Sequence, residues 1–95
     1  MADTRISFKA RLILYHRGRI LLLRQTKPNG GNYTLVGGTV ESREFARQAL
    51  IRESFEEAGI ILREEDLELR SVLHKVNGQE HRIVFYFKAY RWEGE

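Results

Sequence analysis

Apolar and polar residues alternate along the first part of the chain, from Ile6 to Tyr15. Side chains of a β-strand point alternately to its two faces, so this pattern predicts a strand that is buried on one face. The segment from His16 to Arg19 has the composition of a turn, and the apolar run from Ile20 to Leu23 predicts a second strand, paired with the first in a hairpin. The proline- and glycine-containing segment from Thr26 to Asn32 predicts an exposed loop.

The middle of the chain predicts a short strand followed by one helix. The strand runs from Tyr33 to Val36 and leads into Gly37 and Gly38. We expect the helix to lie between Ser42, a residue type that caps helix N-termini, and Gly59, a residue type that follows helix C-termini.

The last part of the chain predicts a second hairpin. Its strands are expected at Leu67 to Val76 and at His81 to Trp92, around an Asn77-Gly78 turn. Apolar residues occupy both faces of the final strand, with Ile83, Phe85 and Phe87 on one side and Val84 and Tyr86 on the other. We expect both faces to be partly buried, since each large apolar side chain left in water forfeits about 1.5–3 kcal/mol. The whole pattern predicts an α/β fold, a mixed sheet with one helix, in a single domain over residues 1–95.

Composition and charge limit the classes of function that the chain could have. A chain of 95 residues with ten aromatic residues has enough apolar content for one modest core, and it contains no cysteine. It shows no signal-peptide pattern and no run approaching the ~18 apolar residues of a membrane span, so we expect a soluble, cytoplasmic protein without a membrane partner. The net charge of +3 suits a polyanionic small molecule. The basic residues are too scattered to predict nucleic-acid binding.

Three carboxylates are spaced to share one side of the predicted helix. At about 100° per residue, Glu53, Glu56 and Glu57 fall within an arc of roughly 100°. The opposite side, predicted to face the core, carries Ile51, Ser54, Phe55 and Ala58. Such a run of like charges is often only a solvated face, but the flanking glycines and Arg52 favour a functional site. Three convergent carboxylates form an oxygen site suited to Mg²⁺ or Mn²⁺.

The stretch from Gly38 to Ile60 resembles the signature of the Nudix hydrolases, G-x5-E-x7-R-E-U-x-E-E-x-G-U, where U is apolar. The fixed positions are filled by Gly38, Glu44, Arg52, Glu53, Glu56, Glu57 and Gly59. The resemblance implies an α/β/α sandwich around a mixed sheet. The family usually continues beyond the segment that matches residues 90–95 with a further strand and a C-terminal helix. We therefore expect that the remainder of a longer protein, or a second copy in a homodimer, covers one sheet face.

The resemblance also implies a reaction, the hydrolysis of a nucleoside diphosphate linked to another group by attack of water on phosphorus. It assigns Glu56 and Glu57 as the principal ligands of Mg²⁺ or Mn²⁺, with the backbone carbonyl of Gly38. Glu53 is implied as a further ligand or as the general base. The small-molecule substrate is a nucleotide derivative, and the absence of other subfamily markers places the chain with the MutT-type group.

Further roles are implied for residues around these ligands. Arg52 orients Glu53, and Glu44 fixes the arginine or the loop. Gly37 and Gly38 allow the backbone to approach the helix, and Arg24 contacts substrate phosphates. The alternative function is a catalytically weak module of the same fold that binds or senses a nucleotide. The three histidines have no metal-ligand spacing and are interpreted as structural or solvent-facing, namely His16, His74 and His81.

Overall fold

A four-stranded mixed β-sheet forms the framework of the protein in a computed structural model that describes residues 4–24 and 33–94. In chain order the elements are β1 (Arg5–Ile13), β2 (Tyr15–His16), β3 (Arg19–Ile20), β4 (Leu22–Arg24), β5 (Tyr33–Leu35), β6 (Gly37–Thr39), α1 (Ala46–Ala58), a 3₁₀ turn (Glu64–Asp66), β7 (Leu67–Asn77) and β8 (Glu80–Ala89). The loop predicted from Thr26 to Asn32 lies outside the described residues.

The strand order of the main sheet is β6-β1-β8-β7. Strands β1 and β8 are parallel, from Arg5 opposite Glu80 to Ile13 opposite Lys88. Strand β6 pairs antiparallel with β1, and β7 pairs antiparallel with β8. Parallel neighbours require a long connection, and the segment between β1 and β8 includes α1. The predicted α/β class, with a mixed sheet and one helix, is confirmed.

The alternation of residues in β1 separates two faces of the sheet. Ala10 and Leu12 are buried in the core, together with Leu50 of α1. Lys9 and Arg11 occupy the intervening positions, and they therefore belong to the face opposite the helix. The half-buried strand predicted from this alternation is confirmed.

Helix α1 begins later than predicted, at Ala46 rather than after Ser42. Arg43 has a φ of 71°, a left-handed conformation that a right-handed helix cannot contain. The N-cap is Phe45, whose backbone N–H donates to Oε1 of Gln48 at 2.9 Å. The prediction of Ser42 as N-cap was wrong because the chain first makes a separate turn.

Helix α1 ends at Gly59, as predicted. Gly59 has a φ of 66°, and its N–H donates to the carbonyl oxygen of Phe55 at 3.0 Å. The N–H of Ile60 donates to the carbonyl oxygen of Ser54 at 3.2 Å. Paired bonds of this kind, closed by a left-handed glycine, satisfy the last carbonyl groups of a helix.

The buried side of α1 is rotated from the predicted one. Its buried residues are Ala49, Leu50 and Ser54. Ile51 and Ala58 pack partly against the core as expected, but Phe55 is 61% exposed and its prediction as a core residue was wrong. The helix packs on β1 and on the edge strand β6. Its carboxylate-bearing side therefore adjoins the sheet edge instead of lying opposite the core.

The second predicted hairpin is present, but the first is confirmed only at its turn, where Tyr15 pairs with Ile20 and His16 pairs with Arg19. Strand β1 pairs with β6 and β8 instead, and Leu22–Arg24 pairs with β5. Arg17 and Gly18, with φ values of 51° and 79°, connect β2 and β3 in the conformation that suits a two-residue turn. In the second hairpin Asn77 pairs with Glu80, so the connecting residues are Gly78 and Gln79. The turn lies one position later than predicted.

Strand β8 lies inside the sheet, and both of its faces are partly buried, as predicted. Val84 and Phe87 are almost fully buried, on opposite faces. Exposed apolar side chains lie on the neighbouring strands, at Ile6 and Phe8 of β1 and at Leu69, Val72, Leu73 and Val76 of β7.

Candidate active site

The short edge strand β6 meets helix α1 at Gly38. A Cβ at this position would lie 2.6 Å from Cδ of Glu53 and closer still to its Oε2. The carboxylate of Glu53 therefore occupies space that any other residue at position 38 would fill. This glycine is required by a close approach between backbone and carboxylate.

Gly37 anchors a second carboxylate through its backbone. Its N–H donates to Oε1 of Glu57 at 2.9 Å. Its φ of 143° favours glycine, and a Cβ here would collide with the carbonyl group of Ala10 in β1. Nη1 of Arg11 donates to the carbonyl oxygens of Leu35 and Gly37, each at 3.2 Å. The strand backbone is therefore held by Glu57 of the helix and by Arg11 of the neighbouring strand.

Arg52 connects the acidic residues to one another. Its Nη2 and Nε donate to the two carboxylate oxygens of Glu44, at 2.8 and 3.3 Å, in a bidentate pair. Its Nη1 donates to Oε1 of Glu53 at 2.6 Å, and its Nη2 donates to the carbonyl oxygen of Thr39 at 3.2 Å. Glu44 also accepts a bond from the backbone N–H of Glu41 at 2.8 Å. One guanidinium thus joins the turn before the helix, the helix and strand β6.

The pKa values of Glu44 and Glu57 are shifted in opposite directions. The hydrogen bond from Arg52 holds the pKa of Glu44 below its usual value. Burial raises the pKa of Glu57, and the charges of Glu53 and Glu56 add to the rise, whereas the Gly37 N–H and Arg11 oppose it. A nearby cation would therefore stabilise ionised Glu57 by offsetting the cost of its burial.

The donor set fits a hard divalent cation. Glu53, Glu56 and Glu57 offer carboxylate oxygens and Gly38 offers a carbonyl oxygen, which are ligand types preferred by Mg²⁺ and Mn²⁺. Within residues 4–24 and 33–94, no three acidic, histidine or cysteine side chains converge in a metal-binding arrangement. One oxygen of Glu53 is bonded to Arg52 and one oxygen of Glu57 is bonded to Gly37. These carboxylate oxygens would have to exchange their present partners to coordinate a cation together.

The remaining predicted contact is Arg24. It is the last residue of β4 and pairs with Tyr33 of β5. Its side chain lies outside the described part of the structure, so its contact with substrate phosphates stays a prediction.

Two contacts were not found by sequence reasoning. Arg11 appeared only as a polar position of an alternating strand, and the pairing of β1 with β6 gives it its role. His74 and His81, interpreted as structural or solvent-facing, share a hydrogen bond of 2.8 Å between Nε2 and Nδ1. The register of the second hairpin, which sets Val76 opposite His81, is the signal that could have revealed the histidine pair.

The family model described as NUDIX domain matches residues 5–95. The chain belongs to the NUDIX domain family. Four Haemophilus influenzae proteins named NAD-capped RNA hydrolase NudC are 43% identical over 56 residues. That match covers 55% of this chain and 21% of each relative, so it spans about a fifth of the relatives' length.

Solved structures of NUDIX proteins share the fold. A MutT NUDIX hydrolase from Burkholderia pseudomallei is 30% identical with a TM-score of 0.81, covering 96% of this chain and 71% of that one. The E. coli ORF135 protein is 23% identical with a TM-score of 0.83, covering 96% of this chain and 65% of that one. The predicted family and fold are therefore confirmed. The described part of the chain contains no helix with the length and hydropathy of a membrane span.

Proposed function

We propose that this NUDIX chain hydrolyses a phosphoanhydride bond of a nucleoside di- or triphosphate derivative, with Mg²⁺ or Mn²⁺ as cofactor. The observation that carries the proposal is the docking of α1 on the two glycines of β6. Glu53 fills the space beside Gly38, and Glu57 accepts the N–H of Gly37. Two carboxylates are thereby fixed at one short strand, with Glu56 exposed beside them.

The cation would be held by Glu53, Glu56, Glu57 and the carbonyl oxygen of Gly38. When bound, it neutralises phosphate oxygens and lowers the pKa of water. Arg52 orients Glu53 through the 2.6 Å bond, and Glu44 holds Arg52 from the other side. These two residues act by positioning.

In the proposed reaction the oxygen of a water molecule bonds to phosphorus while the bridging phosphorus–oxygen bond breaks. One proton of the water passes to a carboxylate, and the bridging oxygen leaves with the departing phosphate group. Where Glu53 serves as the general base instead of as a ligand, it would accept this proton on Oε2, the oxygen to which Arg52 does not donate.

The substrate is proposed to be a small nucleotide, as for the MutT-type group. The names of the Haemophilus influenzae relatives suggest a second candidate, the diphosphate bridge of an NAD cap on RNA. Both candidates contain the bond that the site is proposed to cleave, so both belong in one substrate screen.

The screen follows cleavage of the phosphoanhydride bond by ³¹P NMR with Mg²⁺, using nucleoside triphosphates, dinucleotides and NAD-capped RNA. We expect hydrolysis of at least one class, and loss of that hydrolysis in Glu57→Gln. The matched control is Glu65→Gln, an exposed carboxylate on the 3₁₀ turn. Binding of a nucleotide without turnover would replace this proposal with the alternative, a nucleotide-binding module.

A further inference from the structure

The sheet face opposite α1 carries a group of cations, of which Lys9 and Arg11 flank the residue of β1 that pairs with Gly38. Lys9 and Arg11 lie on β1, Arg82 lies on β8 and Lys75 lies on β7. Arg82 is opposite both Ser7 of β1 and Lys75 of β7. Lys9 follows Ser7 by two positions, so Lys9 and Arg82 are diagonal neighbours on one face.

These cations have few negative partners in the protein. Arg11 is engaged by the backbone of the glycine strand. Lys9 donates to Oγ1 of Thr39, the residue that follows Gly38 on the edge strand. Among the described residues, no carboxylate oxygen lies within 4.0 Å of the charged nitrogens of Lys9, Arg82 or Lys75, although Glu80 lines the same cavity as Lys75 and Arg82. Like charges on neighbouring strands destabilise a sheet, so an anion bound at Lys9 and Arg82 would offset their repulsion.

Lys9 is the link between this face and the carboxylates of α1. Burial lowers its pKa, and the positive charges of Arg82 and Arg11 lower it further, while the charge of Glu53 acts in the opposite direction. Lys9 therefore interacts electrostatically both with the cations of its own face and with Glu53, next to Gly38. An anion bound at Lys9 would therefore lie close to Glu53 and to the proposed cation site.

We propose that Lys9 and Arg82 bind a phosphate group of the substrate adjacent to the phosphorus that is attacked. The proposal rests on the proposed function, and it adds two substrate-binding residues outside the family signature. Both side chains project from paired strands, so their spacing is fixed by the sheet. A guanidinium offers a planar fork to phosphate oxygens and an ammonium offers a compact charge. Substrates with consecutive phosphates, as in a di- or triphosphate, are favoured over monophosphate esters.

The test is isothermal titration calorimetry of the chain with inorganic pyrophosphate. EDTA is present to remove divalent cations, so that binding is measured without turnover. We expect Lys9→Met and Arg82→Met each to weaken binding by about ten-fold or more, because each removes a charged hydrogen-bond donor. The matched control is Lys88→Met, on the same face of β8 but six positions from Arg82 and packed over the rings of Tyr15 and Tyr90. It should change the affinity by less than about two-fold. Lys9→Arg should retain most of the binding.

Several outcomes would overturn the proposal. These are unchanged binding in Lys9→Met and Arg82→Met, equal weakening in Lys88→Met, or no pyrophosphate binding by the wild-type chain. Thermal unfolding of each variant distinguishes a loss of binding from a loss of folding. If Lys9→Met does not fold, Arg82→Met alone provides the test. With a substrate from the screen, the Lys9 and Arg82 variants should raise KM far more than they lower kcat. Pyrophosphate binding that depends on Lys9 in a chain without hydrolysis would support this inference and refute the proposed function.

Discussion

Replacing each of the two adjacent glycines by alanine should damage the protein in different ways. At Gly37 a Cβ would collide with backbone atoms of β1, lying 2.9 Å from the carbonyl carbon of Ala10 and 2.9 Å from Cα of Arg11. Strand β1 is paired on both sides and cannot move away. At Gly38 the colliding atoms belong to the end of the Glu53 side chain, which can rotate.

The magnitudes follow from these two environments. For Gly37→Ala, a strained φ costs of order 1–3 kcal/mol and overpacking about 1–3 kcal/mol more, so the free energy of unfolding should fall by about 2–6 kcal/mol. For Gly38→Ala, the loss is offset by the lower entropy of the unfolded chain, and the net change should stay within about 1 kcal/mol. Gly38→Ala should instead displace Glu53 and reduce hydrolysis by about 10²–10⁴-fold.

Urea unfolding followed by circular dichroism measures the difference. With a denaturant slope of about 1.5 kcal/mol per molar, the midpoint of Gly37→Ala should fall by about 1–4 M, and that of Gly38→Ala by less than about 0.7 M. Similar midpoints for the two variants would refute the reasoning, because they would show that the backbone of β1 yields as easily as the side chain of Glu53.

Three further predictions concern polar groups of the helix and its preceding turn. Ser54→Ala should raise the free energy of unfolding by about 1 kcal/mol, because Ser54 is fully buried and its Oγ has no hydrogen-bond partner among the described residues. A fall in the urea midpoint would contradict this. The lowered pKa of Glu44 means that its stabilising effect is present above the usual carboxyl pKa and is lost as the pH falls through the lowered value. Glu44→Gln should therefore lower the melting temperature at pH 7 but not at pH 2, and an equal loss at both would argue against the Arg52 pairing. The raised pKa of Glu57 makes the folded state hold that proton more tightly than the unfolded chain, so stability falls as the pH rises from the usual carboxyl pKa through the raised one. In EDTA at pH 7, Glu57→Gln should melt at a higher temperature than wild type, and a lower melting temperature would contradict the sign.

The parts of the fold that were predictable from the sequence depend on local patterns. Alternation predicted β1, and glycine-containing turns predicted the second hairpin and the turn of the first, because strand periodicity and turn conformation are set within a few residues. The strand partners of β1 were not predicted, because they lie far away in the chain. Gly59 was predictable as the helix end for the same reason. The spacing of the carboxylates is also local, since three glutamates within two helical turns share a side whatever surrounds them.

The start and the buried side of α1 were not predictable in this way. Ser42 is a good capping residue, but Glu44 bonds to Arg52 and to the backbone of Glu41, which closes a separate turn first. Phe55 belongs to an apolar stripe by sequence, but the helix docks with its glutamate side toward β6 and leaves that ring in solvent. Both outcomes depend on tertiary contacts that outweigh local preference.

The roles of the β1 cations depend on topology. Lys9 and Arg11 have the polar pattern of any half-exposed strand. Only the parallel pairing with β8 brings Arg82 beside Lys9, and only the antiparallel pairing with β6 brings Arg11 to the glycine strand. Such contacts join residues that are far apart in the chain, and no local pattern encodes them.

The central claim, that the carboxylates of α1 form a divalent-cation centre, is tested most directly by Mn²⁺ titration with electron paramagnetic resonance. The signal of free Mn²⁺ gives the affinity and number of bound ions without any substrate. Wild-type protein should bind Mn²⁺, Glu56→Gln and Glu57→Gln should weaken binding by at least about ten-fold, and Glu65→Gln should leave it unchanged. Equal Mn²⁺ binding by wild type and Glu57→Gln, or no binding by wild type, would contradict the account.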